Sequence, residues 1–561
     1  MSLYDKLSEE RKQLQQEGQL PEWFTTGGWQ LFKENYLHEA TGLKDTYERI
    51  ARTAAIHTND PDAWASRFYD VMWNGWLALS TPVLSNMGTN KGTPVSCSGQ
   101  YVGDSINEFY KSYHETAMLT KNGFGTSGYL GDIRPRGAAI SSGGKSSGVL
   151  PIIKHFVQDM RDVAQGTSRR GAWAGYLPID HGDFFEVVDY AENYPDDLNL
   201  GWNVSNEFIE RLQHGDEDAL RRYQRALKVK AVTGKGYFNL IDKINALSPQ
   251  MYKDRGLSSK ASNLCTEITL HSDSEHTYTC VLSSMNLSKY DEWKDTDAVF
   301  VSTVFLDCVA EEFIQMGKTI PGLENAVRFT EKGRALGLGT LGFHTYLQQK
   351  GIAFESFEAH MLNRTIFKGI SDEALEASKW MATHFGEPEW CRGYGVRNSH
   401  TMAIAPNTSS ALICGGVSQG IEPIVANVYN QLTSAGEINR TNPVFMEFAK
   451  GKGKWNEELV KDIIDNDGSV QHLDWLTDDE RMVFRTAYEV DQKAIIRLAA
   501  ARQEYIDQAQ SINLFFDADE DEAYISEVHK EAFLNPHIKS LYYMRTKAGV
   551  NASKDCIACE G

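Results

Sequence analysis

Strand-like and helix-like segments alternate through one long region of this 561-residue chain, and this alternation restricts the possible folds more than any other feature. Between residues 92 and 150, short apolar runs separated by Gly, Ser and Thr predict strands and functional loops. Helical spacing of apolar residues recurs over 41–55, over 203–250 and from the 480s to 509, followed by strand-like runs at 511–516 and 538–546. With no internal repeat and no low-complexity linker, this order favours one α/β architecture over several small domains.

Composition and charge narrow the classes of function. Aliphatic and aromatic residues make up 41% of the chain, which is typical of a globular protein. The formal net charge of −20 argues against DNA as a partner, because non-specific phosphate binding needs clustered Lys and Arg, although a local nucleotide pocket is still allowed. No run approaches the roughly 18 apolar residues of a membrane span, and the charged N-terminus does not have the pattern of a signal peptide. We therefore expect a cytoplasmic protein with no membrane association.

Eight cysteines in a chain of this length are too few for a disulfide scaffold, so any that matter should act through chemistry. The most conspicuous pair, Cys556 and Cys559, lies within the last six residues. A C-x-x-C can be half of a zinc site, a redox dithiol or a coincidence. We expect Cys308, Cys391 and Cys414 to serve packing only.

The segment "SNLCTEI" at residues 262–268 is the strongest local candidate for a catalytic site. Asn263, Cys265 and Glu267 are spaced two apart, so an extended backbone would point all three side chains to one face. An amide, a thiol and a carboxylate are poor components of a core unless they find partners. The alternatives are a surface strand with an incidental Cys and a site that combines proton transfer, substrate orientation and sulfur redox chemistry.

Other signals are weak when taken singly. Gly123-x-Gly125-x-x-Gly128 matches a dinucleotide fingerprint, but a helical segment precedes it, which favours a Gly-rich loop near a ligand over a Rossmann site. "APNTSS" at 405–410 can supply N–H groups and hydroxyls to a phosphate or form an ordinary helix start. The adjacent Tyr542 and Tyr543 would ordinarily point to opposite faces of a strand, one to the core and one to solvent.

Taken in order, these motifs resemble the large, catalytic subunit of class I ribonucleotide reductases. The resemblance runs from "LPEWFTTGGW" at 20–29 to the last residue, and five ordered motifs carry it. They are "SNLCTEI", "CVLSSMNL" at 280–287, "VDQKAIIRLAAARQEYIDQAQSINLFF" at 490–516, "SLYYMRT" at 540–546 and the terminal C-x-x-C.

The resemblance implies a ten-stranded α/β barrel of two five-stranded halves, with a central finger loop that carries a thiyl cysteine. It implies an N-terminal helical region over 1–70, a catalytic barrel with an effector site over 71–545, and a flexible redox-active tail over 546–561. The family's activity is reduction of ribonucleoside diphosphates to 2′-deoxyribonucleoside diphosphates for DNA synthesis.

The resemblance also gives each catalytic residue a role. Cys265 would be the thiyl that removes the 3′-hydrogen, Glu267 would take the 3′-hydroxyl proton and Asn263 would orient the substrate. Cys97 and Cys280 would supply two electrons and become a disulfide. Tyr542 and Tyr543, as a stacked redox pair, would relay the radical to Cys265 from a separate ferritin-like small (beta) subunit. Cys556 and Cys559 would then re-reduce the active-site disulfide and be reduced in turn by thioredoxin or glutaredoxin.

Binding residues carry over by the same resemblance. Substrate contacts are expected at Thr81, Ser96, Gly123, Asn407, Thr408, Ser409 and Ser410. A deoxynucleoside triphosphate or ATP is expected to bind as an allosteric effector at a homodimer interface, through Asp104, Ser105, Ile106 and Arg134. The "GTSRRG" loop at 166–171 would report the identity of the effector. No cofactor and no metal is expected to be bound permanently in this subunit.

One difference from the family pattern and two alternative functions bear on this expectation. Because "LPEWF" begins at residue 20, we expect no N-terminal ATP-cone and a dATP effect on specificity alone. An adenosylcobalamin-dependent reductase would share the Asn-x-Cys-x-Glu motif and the terminal cysteines, but it would not need the tyrosine pair. A regulatory nucleotide-binding protein with degenerate chemistry is disfavoured because the residues at 97, 263, 265, 267 and 280 are all intact.

Overall fold

The computed structural model describes residues 3–37, 42–165, 169–433 and 436–547. The helices of these ranges are α1 Leu3–Gln16, α2 Thr26–Asn35, α3 Leu43–Ala55, α4 Pro61–Trp73, α5 Thr81–Asn86, α6 Ile106–Lys121, α7 Leu150–Asp162, α8 Phe184–Asn193, α9 Asn206–Gln213, α10 Glu217–Thr233, α11 Ile241–Ala246, α12 Gln250–Asp254, α13 Tyr290–Trp293, α14 Ala298–Gly317, α15 Glu324–Gly333, α16 Phe343–Gln349, α17 Phe357–Phe385, α18 Thr408–Ile413, α19 Pro443–Gly451, α20 Glu457–Asp465, α21 Asp478–Val483, α22 Gln492–Gln503 and α23 Glu522–Leu534. Two short 3₁₀ turns span Leu287–Lys289 and Glu389–Cys391.

Strands alternate with these helices, as the α/β pattern predicts. They are β1 Leu77–Leu79, β2 Cys97–Tyr101, β3 Gly125–Tyr129, β4 Ala164–Gln165, β5 Arg169–Arg170, β6 Trp173–Pro178, β7 Asn199–Asn203, β8 Tyr237–Asn239, β9 Tyr278–Asn286, β10 Leu336–Leu341, β11 Val428–Thr433, β12 Gly436–Thr441, β13 Leu514–Phe516, β14 Ser540–Leu541 and β15 Met544–Thr546.

Nine strands form the main sheet, in the order β1-β9-β2-β3-β6-β7-β8-β14, with β10 also paired to β9. Its centre consists of five parallel strands, β2, β3, β6, β7 and β8, which form the first half of the barrel. Parallel strands need crossover connections, and helices α6 to α10 supply them. Strand β9 is antiparallel to β2 and parallel to β10, so it joins the two halves.

The second half of the barrel uses shorter pairings. Parallel bridges connect Leu338 with Met402 and Ile404 with Gln510, and β13 runs parallel to β15. These links confirm the predicted α/β barrel of two halves. The finger segment between α12 and β9 is attached to the second half where the amide of Ala509 donates to the carbonyl of Glu267 at 2.9 Å.

The N-terminal helices pack on the outside of the barrel and share its core. The ring of Phe68 on α4 meets that of Phe305 on α14, with centroids 5.3 Å apart, and Trp64 meets Trp380 on α17 at 5.5 Å. The first strand begins at Leu77, after four helices. Domain boundaries at residues 70 and 545 stay predictions.

Three local expectations differ from the structure. The helix expected to reach Ala509 ends at Gln503, because the chain then turns to bring Gln508 and Gln510 to the barrel strands. The run 538–546 is two short strands interrupted at Tyr542 and Tyr543, and the strand expected at 511–516 begins at Leu514. Within the described ranges, no helix is long and apolar enough to cross a membrane.

Candidate active site

The finger segment places Cys265 on a turn with Asn263 and Glu267 on either side of it, which corrects the extended backbone expected from their spacing. Residues 264–266 form this turn, and Thr266 has φ +70°, a conformation that a β-branched residue rarely adopts. The carbonyl of Thr266 is held by the hydroxyl of Ser540 at 2.9 Å. A strained turn fixed by a distant segment is typical of a functional site.

Asn263 and Glu267 nevertheless meet across this turn. The Nδ2 of Asn263 donates to Oε1 of Glu267 at 2.9 Å and to Sγ of Cys97 at 3.4 Å. The second carboxylate oxygen of Glu267 accepts from Ser511 Oγ at 3.0 Å. Burial raises the pKa of Glu267 to about 7, although the hydrogen bonds from Asn263 and Ser511 act in the opposite direction. The carboxyl can therefore exchange a proton near neutral pH.

Cys265 lies beside the first of the two tyrosines. The hydroxyl of Tyr542 donates to Sγ of Cys265 at 3.5 Å, and both side chains are buried. The contact joins residues 277 positions apart. It gives the sulfur a direct partner for exchange of a proton and an electron.

Cys97 and Cys280 are directly opposite each other on the antiparallel strands β2 and β9. Opposite residues of such a ladder have Cα atoms about 4.5–5.5 Å apart, within the range that a disulfide spans. Both cysteines are free thiols in this structure. Burial raises the pKa of each thiol, so both stay protonated at neutral pH.

Glycines make room around these side chains. A Cβ on Gly125 would lie 2.7 Å from Leu264 of the finger, and one on Gly337 would lie 2.9 Å from Sγ of Cys280. Gly125 and Gly128 belong to strand β3 and follow helix α6, the reverse of the strand-then-helix order of a Rossmann fingerprint. Gly125 therefore makes room for the finger, and Gly337 makes room for Cys280.

The two tyrosines are both buried, not split between core and solvent. Their ring centroids are 4.3 Å apart with an interplanar angle of 66°, so the predicted stacked pair is an edge-to-face pair. Both lie where the strand is interrupted between β14 and β15, which removes the alternation of faces. Tyr237 on β8 contacts both rings, with centroid distances of 4.9 and 5.5 Å.

Sequence reasoning missed several residues of the site. Gln508 donates to Sγ of Cys280 at 3.3 Å, Ser511 holds Glu267, and Tyr176 donates to the backbone carbonyl of Asn263 at 2.6 Å. Gln508 and Ser511 lie within the long motif at 490–516, but only their place beside β9 and the finger identifies their partners.

The expected substrate residues include a loop that contacts the strands beside the site. Asn407 has φ +54°, accepts from Ser284 Oγ at 3.0 Å and directly precedes helix α18. The hydroxyl of Ser410 donates to the carbonyl of Leu79, so this loop lies at the end of β1 that leads to Thr81. The other members are the buried Ser96 and Ser409, the half-buried Thr408, and Gly123 at φ +107°.

The expected effector residues lie together at the end of β2. Arg134 Nε forms an ion pair with Asp104 Oδ2 at 2.5 Å, and Ser105 caps helix α6 by accepting from the amide of Glu108. Ile106 is 74% exposed, which is unusual for a large apolar side chain. Residues 166–168 of the "GTSRRG" loop, and Cys556 and Cys559, lie outside the described residues.

This fold and this site define a thiol-based oxidoreductase built on an α/β barrel. Residues 22–92 match the all-alpha domain of ribonucleotide reductase, and residues 95–224, 218–393 and 388–544 match its barrel domain. The chain belongs to the ribonucleotide reductase family.

Its relatives in that family are large subunits. The chain is 35% identical over 532 residues to the putative ribonucleoside-diphosphate reductase large subunit of Frog virus 3, covering 89% of this chain and 92% of the relative. It is 30% identical to the large subunit of Invertebrate iridescent virus 3, covering 96% and 98%. Among solved structures, the class Id ribonucleotide reductase alpha subunit of Actinobacillus ureae is similar, with a TM-score of 0.87, 40% identity and coverage of 95% and 99%. A class I alpha subunit is thus favoured over the cobalamin-dependent alternative.

Proposed function

We propose that this chain is the catalytic subunit of a ribonucleoside-diphosphate reductase, with Cys265 as the hydrogen-abstracting thiyl and Cys97 and Cys280 as the electron donors. One observation carries the proposal: a single buried site holds the Tyr542–Cys265 contact, the Asn263–Glu267 pair and two cysteines in register across β2 and β9. The polar members of this set are held by hydrogen bonds that orient them toward one another.

In the first half of the reaction, two residues of the finger act on the 3′ position of the substrate. The Cys265 thiyl takes a hydrogen atom from C3′ of the substrate and becomes a thiol. Glu267 accepts the 3′-hydroxyl proton, which its pKa near 7 allows when the carboxyl is ionised. The 2′-hydroxyl then leaves as water with a proton from one thiol of the Cys97–Cys280 pair, and a 3′-keto radical at C2′ remains.

The second half returns the hydrogen atoms. The cysteine pair delivers a hydrogen atom to C2′ and then one electron to the keto group, and it ends as a disulfide. Glu267 gives its proton back to the 3′-oxygen, and Cys265 returns the hydrogen atom to C3′, which restores the thiyl. One ribonucleotide and two thiols give one deoxyribonucleotide, one water and one disulfide.

The oxidising equivalent enters through the tyrosines. A small subunit of the beta class supplies it, and Tyr543 and Tyr542 pass it to Cys265. Their edge contact and the hydroxyl-to-sulfur contact give a continuous route inside the barrel wall. Because both rings are buried, proton exchange is limited to partners that the protein provides.

Two groups of residues recognise nucleotides, one for the substrate and one for the effector. The substrate diphosphate lies on the loop of Asn407 and Ser410, with Thr81 and Gly123 nearby. A nucleoside triphosphate effector binds at Asp104, Ser105, Ile106 and Arg134, where the exposed Ile106 meets a second copy of the chain in a homodimer. These assignments rest on the motif match and on the clustering of each group.

Turnover requires the buried disulfide to be reduced again. Cys556 and Cys559 exchange with it and are reduced by thioredoxin or glutaredoxin, which fits a cytoplasmic location with reduced thiols. A Cys559→Ser chain should complete a single turnover and then stall with thioredoxin as sole reductant. Sustained turnover of this variant would contradict the shuttle.

The central test is reduction of cytidine diphosphate by this chain with its small subunit and a small dithiol. The wild-type chain should form deoxycytidine diphosphate only when the small subunit is present. Cys265→Ser should bind the nucleotide with unchanged affinity and form no product. Product formation by Cys265→Ser, or by the wild-type chain with adenosylcobalamin alone, would refute the proposal.

A further inference from the structure

The hairpin that leads into β9 carries a cluster with no role in the reduction chemistry. In "HSDSEH", residues 271–276, His271, Asp273 and His276 converge at the turn. Within the described part of the chain, these three form the group of potential metal ligands whose donor atoms all lie within 4.8 Å of one another. Both histidines are buried, with 7% and 8% of their surfaces exposed.

The carboxylate of Asp273 lies between the two rings. Its Oδ2 is 2.9 Å from Nε2 of His271, and its Oδ1 is 2.8 Å from Nδ1 of His276. A bare nitrogen lone pair and a carboxylate oxygen repel each other at that distance. Each contact therefore contains either a proton or a cation that both atoms bind.

The second ring nitrogen of His271 is compatible with a metal-binding tautomer. Nδ1 of His271 lies 3.0 Å from the carbonyl of Ser258, so a proton at Nδ1 would point Nε2 towards Asp273 as a bare lone pair. This is how backbone carbonyls commonly orient metal-binding histidines. Nδ1 also lies 3.2 Å from the amide of Ser258, which allows the opposite tautomer. Nε2 of His276 is buried and has no hydrogen-bond partner among the described residues.

We infer that His271, Asp273 and His276 form a site for a first-row divalent metal ion such as Zn²⁺. Two imidazoles and one carboxylate are a borderline donor set of the kind that Zn²⁺, Co²⁺ and Ni²⁺ accept. Ligands about 2.1 Å from a tetrahedral ion lie roughly 3.4 Å apart, so binding requires side-chain rotations that bring the three donors to that spacing.

The surroundings suit three protein ligands and a water. Trp390 covers one side, with its ring 5.3 Å from that of His276 and 5.9 Å from that of His271. The Asp273 side chain is 39% exposed, which leaves an approach from solvent for a fourth ligand. The positive charge of nearby Lys332 would oppose the binding of a cation, but Lys332 is paired with Glu389 at 3.4 Å.

The consequence is structural, because the site closes the hairpin that begins β9. The amide of His271 also points to the hydroxyl of Tyr252, which lies in the same apolar cluster as Cys97 and Cys280. A bound ion would fix the strand that carries Cys280 without taking part in the redox step.

Metal binding can be measured without any activity assay. The full chain with Cys556→Ser and Cys559→Ser, which removes the terminal thiols, is stripped with a chelator and titrated with Co²⁺ and then Zn²⁺. We expect one Co²⁺ per chain with d–d absorption, its displacement by Zn²⁺, and a metal-dependent rise in Tm. Asp273→Asn and His276→Gln should each weaken binding at least tenfold and abolish the rise.

The matched control is His472→Gln, which breaks an exposed His–Asp contact of 2.7 Å to Asp462 that has no third ligand within the part of the chain that the structure describes. It should bind Co²⁺ like the background chain. Asp273→Asn keeps the shape of the side chain, and equal melting of this variant and the background chain without metal shows that the hairpin is intact. No binding by the background chain, or equal binding by Asp273→Asn, would mean that protons alone join the three residues and would overturn the inference.

Discussion

The cysteines of the site lie in two different backbone conformations, a regular pair of strands and a turn. Cys97 and Cys280 are neighbours in the register of a regular ladder, whereas Cys265 lies on a turn beside Thr266 at φ +70°. Strand register fixes the distance between the two Cα atoms within the range that a disulfide spans, so the bond can form and break without a change of strand pairing. The turn instead lets one sulfur meet groups from distant parts of the chain. The ladder therefore suits repeated two-electron chemistry, and the turn suits convergence of a radical route with a base.

The largest loss of activity should come from removing the contact between Tyr542 and Cys265, which depends on the turn. Tyr542→Phe removes the hydroxyl that donates to Cys265, and a phenyl ring cannot carry the proton and electron. Deoxynucleotide formation should fall to background while substrate binding is unchanged. The control is Tyr223→Phe, another buried tyrosine, which packs against Phe533 on the outer helices and should keep full activity. Turnover by Tyr542→Phe would show that the radical reaches Cys265 by another route.

Replacing a cysteine of the β2–β9 pair should reduce turnover as much, but this change acts on disulfide formation and not on the radical route. Cys280→Ser leaves Cys97 without a partner, so electrons cannot be delivered as a disulfide forms. In a chain that carries Cys556→Ser and Cys559→Ser, and so cannot pass the disulfide to the tail, mass spectrometry after one turnover without reductant should find a Cys97–Cys280 crosslink. Cys308→Ser, a buried thiol on α14, should preserve that crosslink. A crosslink between other cysteines would refute the proposed pair.

Next in size is the loss of the base on the turn. Glu267→Gln should lower kcat by about 100- to 10,000-fold, the usual range for a general base. Because burial raises the pKa of Glu267 to about 7, the wild-type rate should rise with pH below that value and level off above it. The variant should lose this rising limb. A variant that keeps the wild-type pH profile would place the proton acceptor elsewhere.

The smallest of these effects tests how a hydrogen bond from Ser511 sets the pKa of Glu267. Ser511→Ala removes a hydrogen bond that lowers the pKa of Glu267, so the rising limb should move to higher pH. The rate at neutral pH should fall about tenfold, the value of one hydrogen bond to a charged group. Ser378→Ala, which removes a buried hydroxyl on α17 that donates to the side chain of Asn398, should leave the profile in place. An unshifted profile for Ser511→Ala would remove this residue from the tuning of Glu267.

Sequence patterns predicted the scaffold well and the contacts less well. Alternating elements and ordered motifs predicted the barrel, and "SNLCTEI" predicted which residues to examine. The same spacing predicted a strand that the structure replaces with a turn, because the side-chain period of two says nothing about φ at Thr266. Tyr542 and Tyr543 were expected to stack, and their edge-to-face angle follows from packing against Tyr237, 305 positions earlier (542 − 237).

The sequence by itself determined the α/β class, the family and the identity of the candidate catalytic residues, because these depend on residue types in order along the chain. Only the tertiary structure decided that Gln508 meets Cys280, that Ser511 and Asn263 share the carboxylate of Glu267, and that two histidines converge on Asp273. Such contacts depend on which strands become neighbours and on the angles between their side chains. The free energy of the whole barrel sets those quantities, and no local pattern records them.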